Sequence, residues 1–239
     1  MKTLQRTAND FSNQLGAGAG LPILSLFRDL MVDDLREPFP SVQLTVTDYN
    51  PSVLHLSTVP NLLLGWANSL DIQSPCSGDL EVTQDLQQLF TDSLNRFGIN
   101  ISAVSGGWGP ALVDLISSQH PPPNKRIVTC DTLIIASETI YSPSTIRLFT
   151  STLLLLLKAT EERGGRSLAL IAAKKVYFGV GGGVDEFLTV LDEMGGEASV
   201  VWENEGEGVG RVVLEVVVGA YDKRYHNTAE LMRRLHRPR

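Results

Sequence analysis

The sequence is poor in cysteine, in histidine and in long apolar runs, and each shortage excludes a class of protein. Two cysteines in 239 residues cannot build a disulfide framework, and they favour a reducing compartment. The four histidines are scattered, and no Cys/His spacing fits zinc, so no metal site is predicted. The leucine run at 153–157 is far shorter than the roughly 20 apolar residues that a bilayer span needs, so no membrane is predicted as a partner.

Positive charge is also scarce. The chain has 20 Lys and Arg against 27 Asp and Glu, which gives a net charge of −7. Binding of nucleic acid needs a basic surface that neutralises phosphates, so nucleic acid is not a predicted direct partner. Residues 223–239 form a local basic cluster, for which a solvated helix or tail is the favoured interpretation. The first 15 residues lack the apolar core of a signal peptide.

What the sequence does contain is an alternation of strand-like and helix-like segments. With 43% hydrophobic residues the chain can bury one sizeable core, and a single domain over 1–239 is predicted. The alternation predicts an α/β fold with a mostly parallel sheet and helices on both faces. The last two β-rich runs, ASVVWENE and GRVVLEVVVGAY, have no helix between them, so they should pair antiparallel. The inner strands are predicted at 42–47, 99–104, 127–136 and 167–173.

A glycine-rich turn links the first strand to the first helix. Gly16, Gly18 and Gly20 are spaced G-x-G-x-G, which lets the backbone approach a ligand beside a helix N-terminus. A dinucleotide fingerprint needs G-x-G-x-x-G, and the sixth position here is Leu21. The spacing therefore favours a smaller ligand, such as the amino-acid end of a nucleoside cofactor, over a dinucleotide oxidoreductase. A tight turn without a ligand is the alternative.

Polar or glycine-rich clusters follow three further strands. Because ligands of open α/β sheets bind at the carboxyl ends of the strands, these clusters are predicted to share one rim with the glycine turn. Asp48 suits a ribose diol, and a helix N-cap is the alternative. Trp108 is suited to pack against the flat face of a purine, and burial in the hydrophobic core is an equally weighted alternative. The clusters are Asp48, Tyr49 and Asn50; Gly106, Gly107 and Trp108; and Ser137 and Glu138.

Five segments in this order resemble a known family: GAGAGLP, DYNPSVL with VPNLLL, SGGW, ASETIYSP and KKVYFGVGGGVDEF. They are similar to the seven-strand histidine protein methyltransferases of eukaryotes, and the resemblance spans residues 14–220. It implies a Rossmann-like sheet, S-adenosyl-L-methionine as cofactor, and a histidine of a large-subunit ribosomal protein as acceptor. It also implies residence in the cytoplasm and nucleus. We expect a monomer. A lysine acceptor on the same scaffold is the alternative enzyme.

The resemblance also implies site residues and shows departures. Gln14 and Gly107 stand where the family usually has acidic residues, and residues 1–13 do not match its upstream Trp-containing segment. We therefore expect a fungal-type member whose N-terminal part is incomplete or altered, with an inactive binding module as the alternative. The implied cofactor contacts are Gly16, Gly18, Gly20, Asp48, Tyr49, Asn50, Gly106, Gly107, Trp108 and Ser137.

The segment after the fourth strand supplies the candidate catalytic residues, Glu138 and Tyr141. A carboxylate that accepts from one imidazole N–H would fix the tautomer and stabilise the positive charge that grows as the other nitrogen attacks. Tyr141 would form a wall of the acceptor slot. The alternative is that Glu138 caps a helix or ties down the next loop.

The segment YFGVGGG follows the fifth strand on the same rim. Tyr177, Phe178 and Gly181 are its predicted contacts with the acceptor peptide, because aromatic rings give contact area and glycines allow another backbone to approach. The alternative is a flexible loop that is needed only to start the next helix.

Overall fold

The computed structural model describes residues 10–32, 41–70, 79–119, 130–204 and 209–218. The predicted basic segment at 223–239 lies outside them. Seven strands form one sheet in the order β3-β2-β1-β4-β5-β7-β6. The strands are β1 (Asp10–Leu15), β2 (Val42–Asp48), β3 (Ile99–Ser105), β4 (Thr132–Ser137), β5 (Ser167–Lys174), β6 (Gly196–Asn204) and β7 (Arg211–Val218).

The first strand lies at the centre of the sheet. β1 pairs in parallel with β2 on one side and β4 on the other, so Leu15 lies beside both Thr47 and Ala136. β3 and β5 extend the parallel part outward, and β7 is inserted antiparallel between β5 and β6. The order 3-2-1-4-5 reverses direction at β1, which is the switch point where ligands of open α/β sheets bind. The predicted Rossmann-like seven-strand sheet with an antiparallel C-terminal hairpin is confirmed.

Helices cover both faces, as predicted. On one face Phe149 and Phe187 pack with ring centroids 6.2 Å apart, and on the other Trp66 and Phe90 pack at 5.0 Å. These pairs mark two buried clusters, separated by the sheet. The helices are α1 (Leu21–Val32), α2 (Pro51–Val53), α3 (Val59–Ser69), α4 (Gln84–Arg96), α5 (Pro110–Ser118), α6 (Pro143–Glu161) and α7 (Val184–Glu193).

The leucine run belongs to α6 and serves the core. Leu153, Leu154, Leu156 and Leu157 are buried against the sheet, whereas Leu155 is 39% exposed. This is the pattern of an amphipathic helix that lies on a sheet. Within the described ranges, no helix combines the length and the apolar character that crossing a membrane requires.

A π-helical turn, Leu54–Thr58, joins α2 to α3. The amide of Val59 donates to the carbonyl of Leu54, five residues earlier, so the helix widens by one residue just before Pro60. Pro60 has no N–H to donate and sits in the first turn of α3, where none is needed. The segment from Pro51 to Ser69 therefore continues past Pro60, and the widened turn brings Thr58 to the sheet edge.

Candidate active site

The glycine turn after β1 is strained for any residue but glycine. Gly16, Gly18 and Gly20 have φ of 65°, 53° and 74°, which L side chains rarely adopt. A Cβ on Gly16 would lie 2.9 Å from the Thr139 methyl, and one on Gly20 would lie 2.9 Å from the Thr58 methyl. A Cβ on Gly18 would meet no described atom within 4 Å. The two outer glycines thus serve packing, and the backbone of Gly18 faces the open side of the rim.

Two side chains hold the carbonyls of this turn from outside. The hydroxyl of Thr58 donates to the carbonyl of Gly18 at 2.6 Å, and the amide of Asn61 donates to the carbonyl of Ala19 at 2.8 Å. Both donors come from the widened turn and the start of α3. The carbonyls point towards that helix, so the conformation of the turn is fixed before any ligand arrives. Sequence reasoning missed both residues, although Asn61 lies within the quoted segment VPNLLL.

Gln14 holds the glycine turn in the place of the acidic residue that the family usually has at this position. Its side chain is 1% exposed. The Oε1 atom accepts from the amide of Ile23 at 3.0 Å, and Nε2 donates to the carbonyl of Ala17 at 3.4 Å. A carboxylate could make the first contact but could not donate the second. The neutral amide therefore joins both ends of the turn and satisfies a free N–H in the first turn of α1.

Asp48 ties the end of β2 to the glycine turn. Its Oδ2 accepts from the amide of Gly18 at 2.9 Å, and its Oδ1 accepts from the amide of Asn50 at 3.0 Å. Each carboxylate oxygen keeps a second lone pair for a ligand hydroxyl. The residue that caps α2 is Asn50, whose Oδ1 accepts from the amide of Ser52 at 2.9 Å. Asp48 is thus left facing the rim.

The two aromatic rings near the ends of β2 and β3 turn in opposite directions. Tyr49 is 80% exposed, and its ring lies 3.8 Å from where a Cβ on Gly107 would be. Trp108 turns inward and packs edge to face on Phe149 with centroids 5.3 Å apart. Its outer edge reaches the position next to Gly16. Trp108 therefore forms part of the floor below the glycine turn, and Tyr49 is the ring that stands free at the rim.

The chain after β4 makes a sharp turn at Glu138. This residue has φ of 58°, the one positive value among the described residues that are not glycine. The left-handed conformation costs about 1–2 kcal/mol for such a residue. Its amide donates to the carbonyl of Ala172 on β5 at 2.9 Å, and buried Thr139 and Ile140 hold the next two positions. Ser137, the last residue of β4, is half-buried beside the turn.

The turn directs the carboxylate of Glu138 towards β5 and β7. Its oxygens lie 3.8 Å from the Nζ of Lys174 and 3.8 Å from the Nη1 of Arg211. It also interacts with the hydroxyl of Tyr177, which accepts from the backbone amide of Lys174 at 3.3 Å. Burial, reinforced by the neighbouring carboxylate, raises the pKa of Tyr177 to about 12. Tyr177 therefore stays neutral near pH 7, with a proton available for Glu138.

Two structural roles were the alternatives for Glu138, a helix cap and a contact that holds the next loop, and the structure supports only the second. The N-cap of α6 is Ser142, so Glu138 caps no helix there. The contact with Tyr177 does join Glu138 to the loop after β5. The carboxylate is nevertheless 38% exposed, so one side of it remains open to a further partner.

The residues predicted to contact the acceptor peptide differ in whether their side chains are buried or exposed. Tyr177 is 9% exposed, whereas its neighbour Phe178 is 79% exposed. The ring of Tyr141 is half exposed and lies 6.2 Å from the ring of Tyr177. Gly181 has φ of 87°, and Gly182 packs so closely on the carbonyl of Tyr141 that a Cβ has no room. The loop thus forms one wall with the turn after β4, with Phe178 projecting from it.

The carboxyl ends of β1 to β5 bring these groups to one edge of the sheet. Gly18 and Asp48 lie on one side of β4, and Glu138 points to the other side. Gly106 joins them, since its amide donates to the carbonyl of Asp48 at 3.1 Å. Over the described part of the chain, no three His, Cys, Asp or Glu side chains come together in a way that could hold a metal ion.

Several proteins of known function are similar in sequence. The chain is 30% identical over 210 residues to histidine protein methyltransferase 1 of Saccharomyces cerevisiae, an alignment that covers 80% of this chain and 52% of that protein. It is 34% identical over 183 residues to the Schizosaccharomyces pombe protein of the same name, covering 76% and 48%. The homolog in Rattus norvegicus is 32% identical over 169 residues, covering 71% and 41%. The chain spans about half the length of the two yeast relatives.

Other comparisons add less. No protein-family model matches the chain. An rRNA methylase from Streptococcus thermophilus superposes with a TM-score of 0.41 at 10% identity, covering 88% of this chain and 87% of that one. The LepI complex with SAM superposes with a TM-score of 0.42 at 10% identity, covering 88% and 43%. The sequence relatives confirm the resemblance that the motifs indicated: over some three quarters of its length, this chain is a homologue of the histidine protein methyltransferases.

Proposed function

We propose that this chain is the methyl-transferring part of an S-adenosyl-L-methionine-dependent protein methyltransferase whose acceptor is a histidine side chain. One observation carries the proposal. At the switch point of the sheet, an open glycine turn backed by Asp48 lies one strand away from a strained carboxylate, Glu138. The similarity to proteins named for this activity supports it.

The residues of the rim fit a nucleoside cofactor. The space beside the Cα of Gly18 is open, so a ligand can pack against this face of the turn, while Asp48 and Thr58 hold its N–H and C=O. Asp48 keeps lone pairs free on both carboxylate oxygens, which suits two ribose hydroxyls. The exposed ring of Tyr49 offers a flat face beside them. These groups would bind the nucleoside, and Thr58 and Asn61 would keep the turn in shape for it.

S-adenosyl-L-methionine supplies, when bound, a methyl carbon on a sulfonium; its C–S bond breaks as a C–N bond forms to the acceptor, leaving a neutral thioether. On the acceptor side, Glu138 would accept a hydrogen bond from the N–H of the imidazole nitrogen farther from the cofactor. The lone pair of the nearer nitrogen would then point at the methyl group. The positive charge gained by the ring lies next to that carboxylate. The N–H proton then leaves through Glu138 to solvent, and Tyr141 and Tyr177 limit the access of water.

The finer identity of the acceptor belongs to the same proposal. A histidine of a large-subunit ribosomal protein, met in the cytoplasm or nucleus, remains our predicted target. The exposed Phe178 and the glycine-rich loop around it offer a surface for a protein segment rather than for a small molecule.

The test compares two variants with the wild type. The protein is incubated with S-adenosyl-L-methionine carrying a deuterated methyl group and with ribosomal proteins, and methylated residues are located by mass spectrometry. Glu138→Gln should lose at least about 100-fold in transfer to histidine, within the range of general acid–base effects, while calorimetry shows unchanged cofactor binding. Glu162→Gln, at the far end of α6, should behave as wild type. Methyl groups found on lysine, or no heat of binding from the wild-type protein, would contradict the proposal.

A further inference from the structure

The carboxylate of Glu138 is flanked by two cations, and their arrangement is costly for the sheet. Lys174 ends β5 and Arg211 begins β7, and the two residues lie directly opposite each other in the antiparallel pair. Like charges in opposed positions destabilise a sheet. Two cations that repel each other at the edge of a candidate active site call for an explanation beyond stability.

The distances indicate how the cations act on Glu138. Both nitrogens are 3.8 Å from the carboxylate oxygens, which exceeds the 2.7–2.9 Å of a charged hydrogen bond. Their side chains are 37% and 60% exposed. Lys174 and Arg211 therefore act on the site through their charge, and they do not lock the carboxylate in place. The hydroxyl of Tyr177 is the group that meets it from the protein interior.

The sum of the charges around Glu138 is positive within the described residues. The carboxylate contributes −1, and Lys174 and Arg211 contribute +2. Lys175, next along the chain, is paired with Glu203 of β6. Tyr177 is neutral, because its pKa of about 12 is far above neutral pH. These four described side chains, Glu138, Lys174, Arg211 and Tyr177, thus carry a net charge of +1.

We infer that Lys174 and Arg211 are specificity residues, which make the acceptor site admit a neutral imidazole and reject the ammonium of a lysine side chain. The inference rests on the proposed function, since it takes Glu138 as the contact of the acceptor. A lone carboxylate would bind an ammonium ion well and would hold a lysine in its protonated, unreactive form. With two cations beside it, the carboxylate keeps its hydrogen-bonding oxygens and loses its net attraction for a cation.

The same arrangement favours the reactive form of histidine. An imidazole has a pKa of about 6.5, so near pH 7 a modest field decides whether it carries a proton. Lys174 and Arg211 oppose the protonated ring and therefore favour the ring with a free lone pair. The charge on the ring rises again as the C–N bond forms, and Glu138, in direct contact, compensates for it there. The cations act at a greater distance from the ring, so the carboxylate contact outweighs them in the transition state.

The test uses two peptides that differ only in having histidine or lysine at the acceptor position. The variants are Lys174→Met, Arg211→Gln and the double variant, with Lys174→Arg as the charge-retaining comparison. Arg166→Gln is the matched control, because it removes a cation that precedes β5 at the opposite edge of the sheet, where Asp131 is its partner. For each protein, kcat on the histidine peptide is measured from pH 5.5 to 8.5, and the ratio of histidine to lysine transfer is measured at pH 7.5.

We expect the midpoint of the rise in kcat to move to higher pH by about half a unit for each cation removed, as a unit charge roughly 7 Å from the ring in a largely aqueous site would produce. We expect the ratio of histidine to lysine transfer to fall at least about tenfold in the double variant. Lys174→Arg and Arg166→Gln should keep both values. Since the side chains of Lys174 and Arg211 reach solvent, 37% and 60% exposed, each single variant should fold, and each alone should show half of the shift.

Two failures can be told apart. If the wild-type protein transfers no methyl to the histidine peptide or to any protein histidine, the proposed function is wrong and the inference falls with it. If the wild type methylates histidine and Glu138→Gln abolishes this, but the double variant keeps both the midpoint and the ratio of the wild type, only the inference is overturned.

Discussion

The carboxylate of Asp48 accepts a hydrogen bond from the backbone amide of Gly18 at 2.9 Å, across 30 residues of sequence. The contact joins the ends of two adjacent parallel strands, β2 and β1. It fixes the one glycine of the turn whose backbone faces open space. The group predicted to bind the ribose is therefore also the group that shapes the turn beside it.

Asp48→Asn should weaken cofactor binding at least about tenfold, the equivalent of one lost charged hydrogen bond. The two carboxylate oxygens accept from Gly18 and Asn50, and an amide side chain can accept at only one of them. Titration calorimetry with S-adenosyl-L-methionine measures the change. Asp92→Asn, an exposed position on α4 bonded to Gln88, removes the same charge and should leave the affinity unaltered. Equal affinity of Asp48→Asn and wild type would exclude Asp48 from the cofactor site.

Thr58→Val should lower both stability and cofactor affinity. The change keeps the shape of the side chain but removes the 2.6 Å hydrogen bond to the carbonyl of Gly18. An unpaired carbonyl in this half-buried turn costs about 1–2 kcal/mol of unfolding free energy. Urea denaturation and calorimetry measure the two effects, and kcat at saturating cofactor should change little. Thr91→Val, which removes a similar bond on the exposed side of α4, should leave binding intact. A loss confined to stability would show that cofactor binding does not depend on this hydrogen bond.

At position 138 the usual order of stability between alanine and glycine should be reversed. Glu138→Gly should be more stable than Glu138→Ala by about 1 kcal/mol, because glycine adopts φ of 58° without strain. Both variants lose the side chain and should be inactive, so the comparison isolates the backbone. Chemical denaturation of the pair measures it, with Glu186 in α7 as the control site, where alanine should be the more stable. If Glu138→Ala were the more stable variant, the left-handed backbone at position 138 would carry no measurable strain.

Tyr177→Phe should lower kcat about tenfold with little change in cofactor affinity, since it removes a hydrogen bond to Glu138 from the acceptor side. Its effect on stability should depend on pH. The pKa of Tyr177 in the folded protein, about 12, is above the usual 10, so the folded state retains this proton when the unfolded state has lost it. The contribution of the hydroxyl is therefore full below pH 10 and is lost as pH rises towards 12. Urea denaturation of wild type and variant at pH 7, 9 and 11 measures it; a constant difference would contradict the assignment.

The sequence predicted those parts of the fold and site that depend on local pattern. Asp48 and Glu138 were found because one ends β2 and the other directly follows β4, and strand ends follow from apolar runs that stop at polar residues. The predicted strands at 42–47, 99–104 and 167–173 each end within a residue of the observed ones. The fourth begins at Thr132 rather than 127, and residues 127–129 lie outside the described ranges.

What the sequence could not predict is the direction of side chains in irregular segments. Tyr177 and Phe178 are adjacent, yet one is buried against Glu138 and the other projects outward, because loop backbone has no fixed periodicity. Trp108 turns to the core for the same reason. Thr58 was missed because its position depends on the widened turn before Pro60, which no local pattern marks. Contacts of this kind depend on tertiary packing, which a single sequence does not reveal.

The reversed direction of β7 has a consequence for how such a protein can change its target. Because β7 runs antiparallel to β5, its first residue, Arg211, lies at the edge where the parallel strands end. Arg211 lies on the half of the sheet formed by β5 and β7, while the nucleoside side is built from β1 and β2 on the other half. Residues at the start of β7 can be exchanged without touching the donor half, so recognition of new targets can diversify while the methyl donor stays the same.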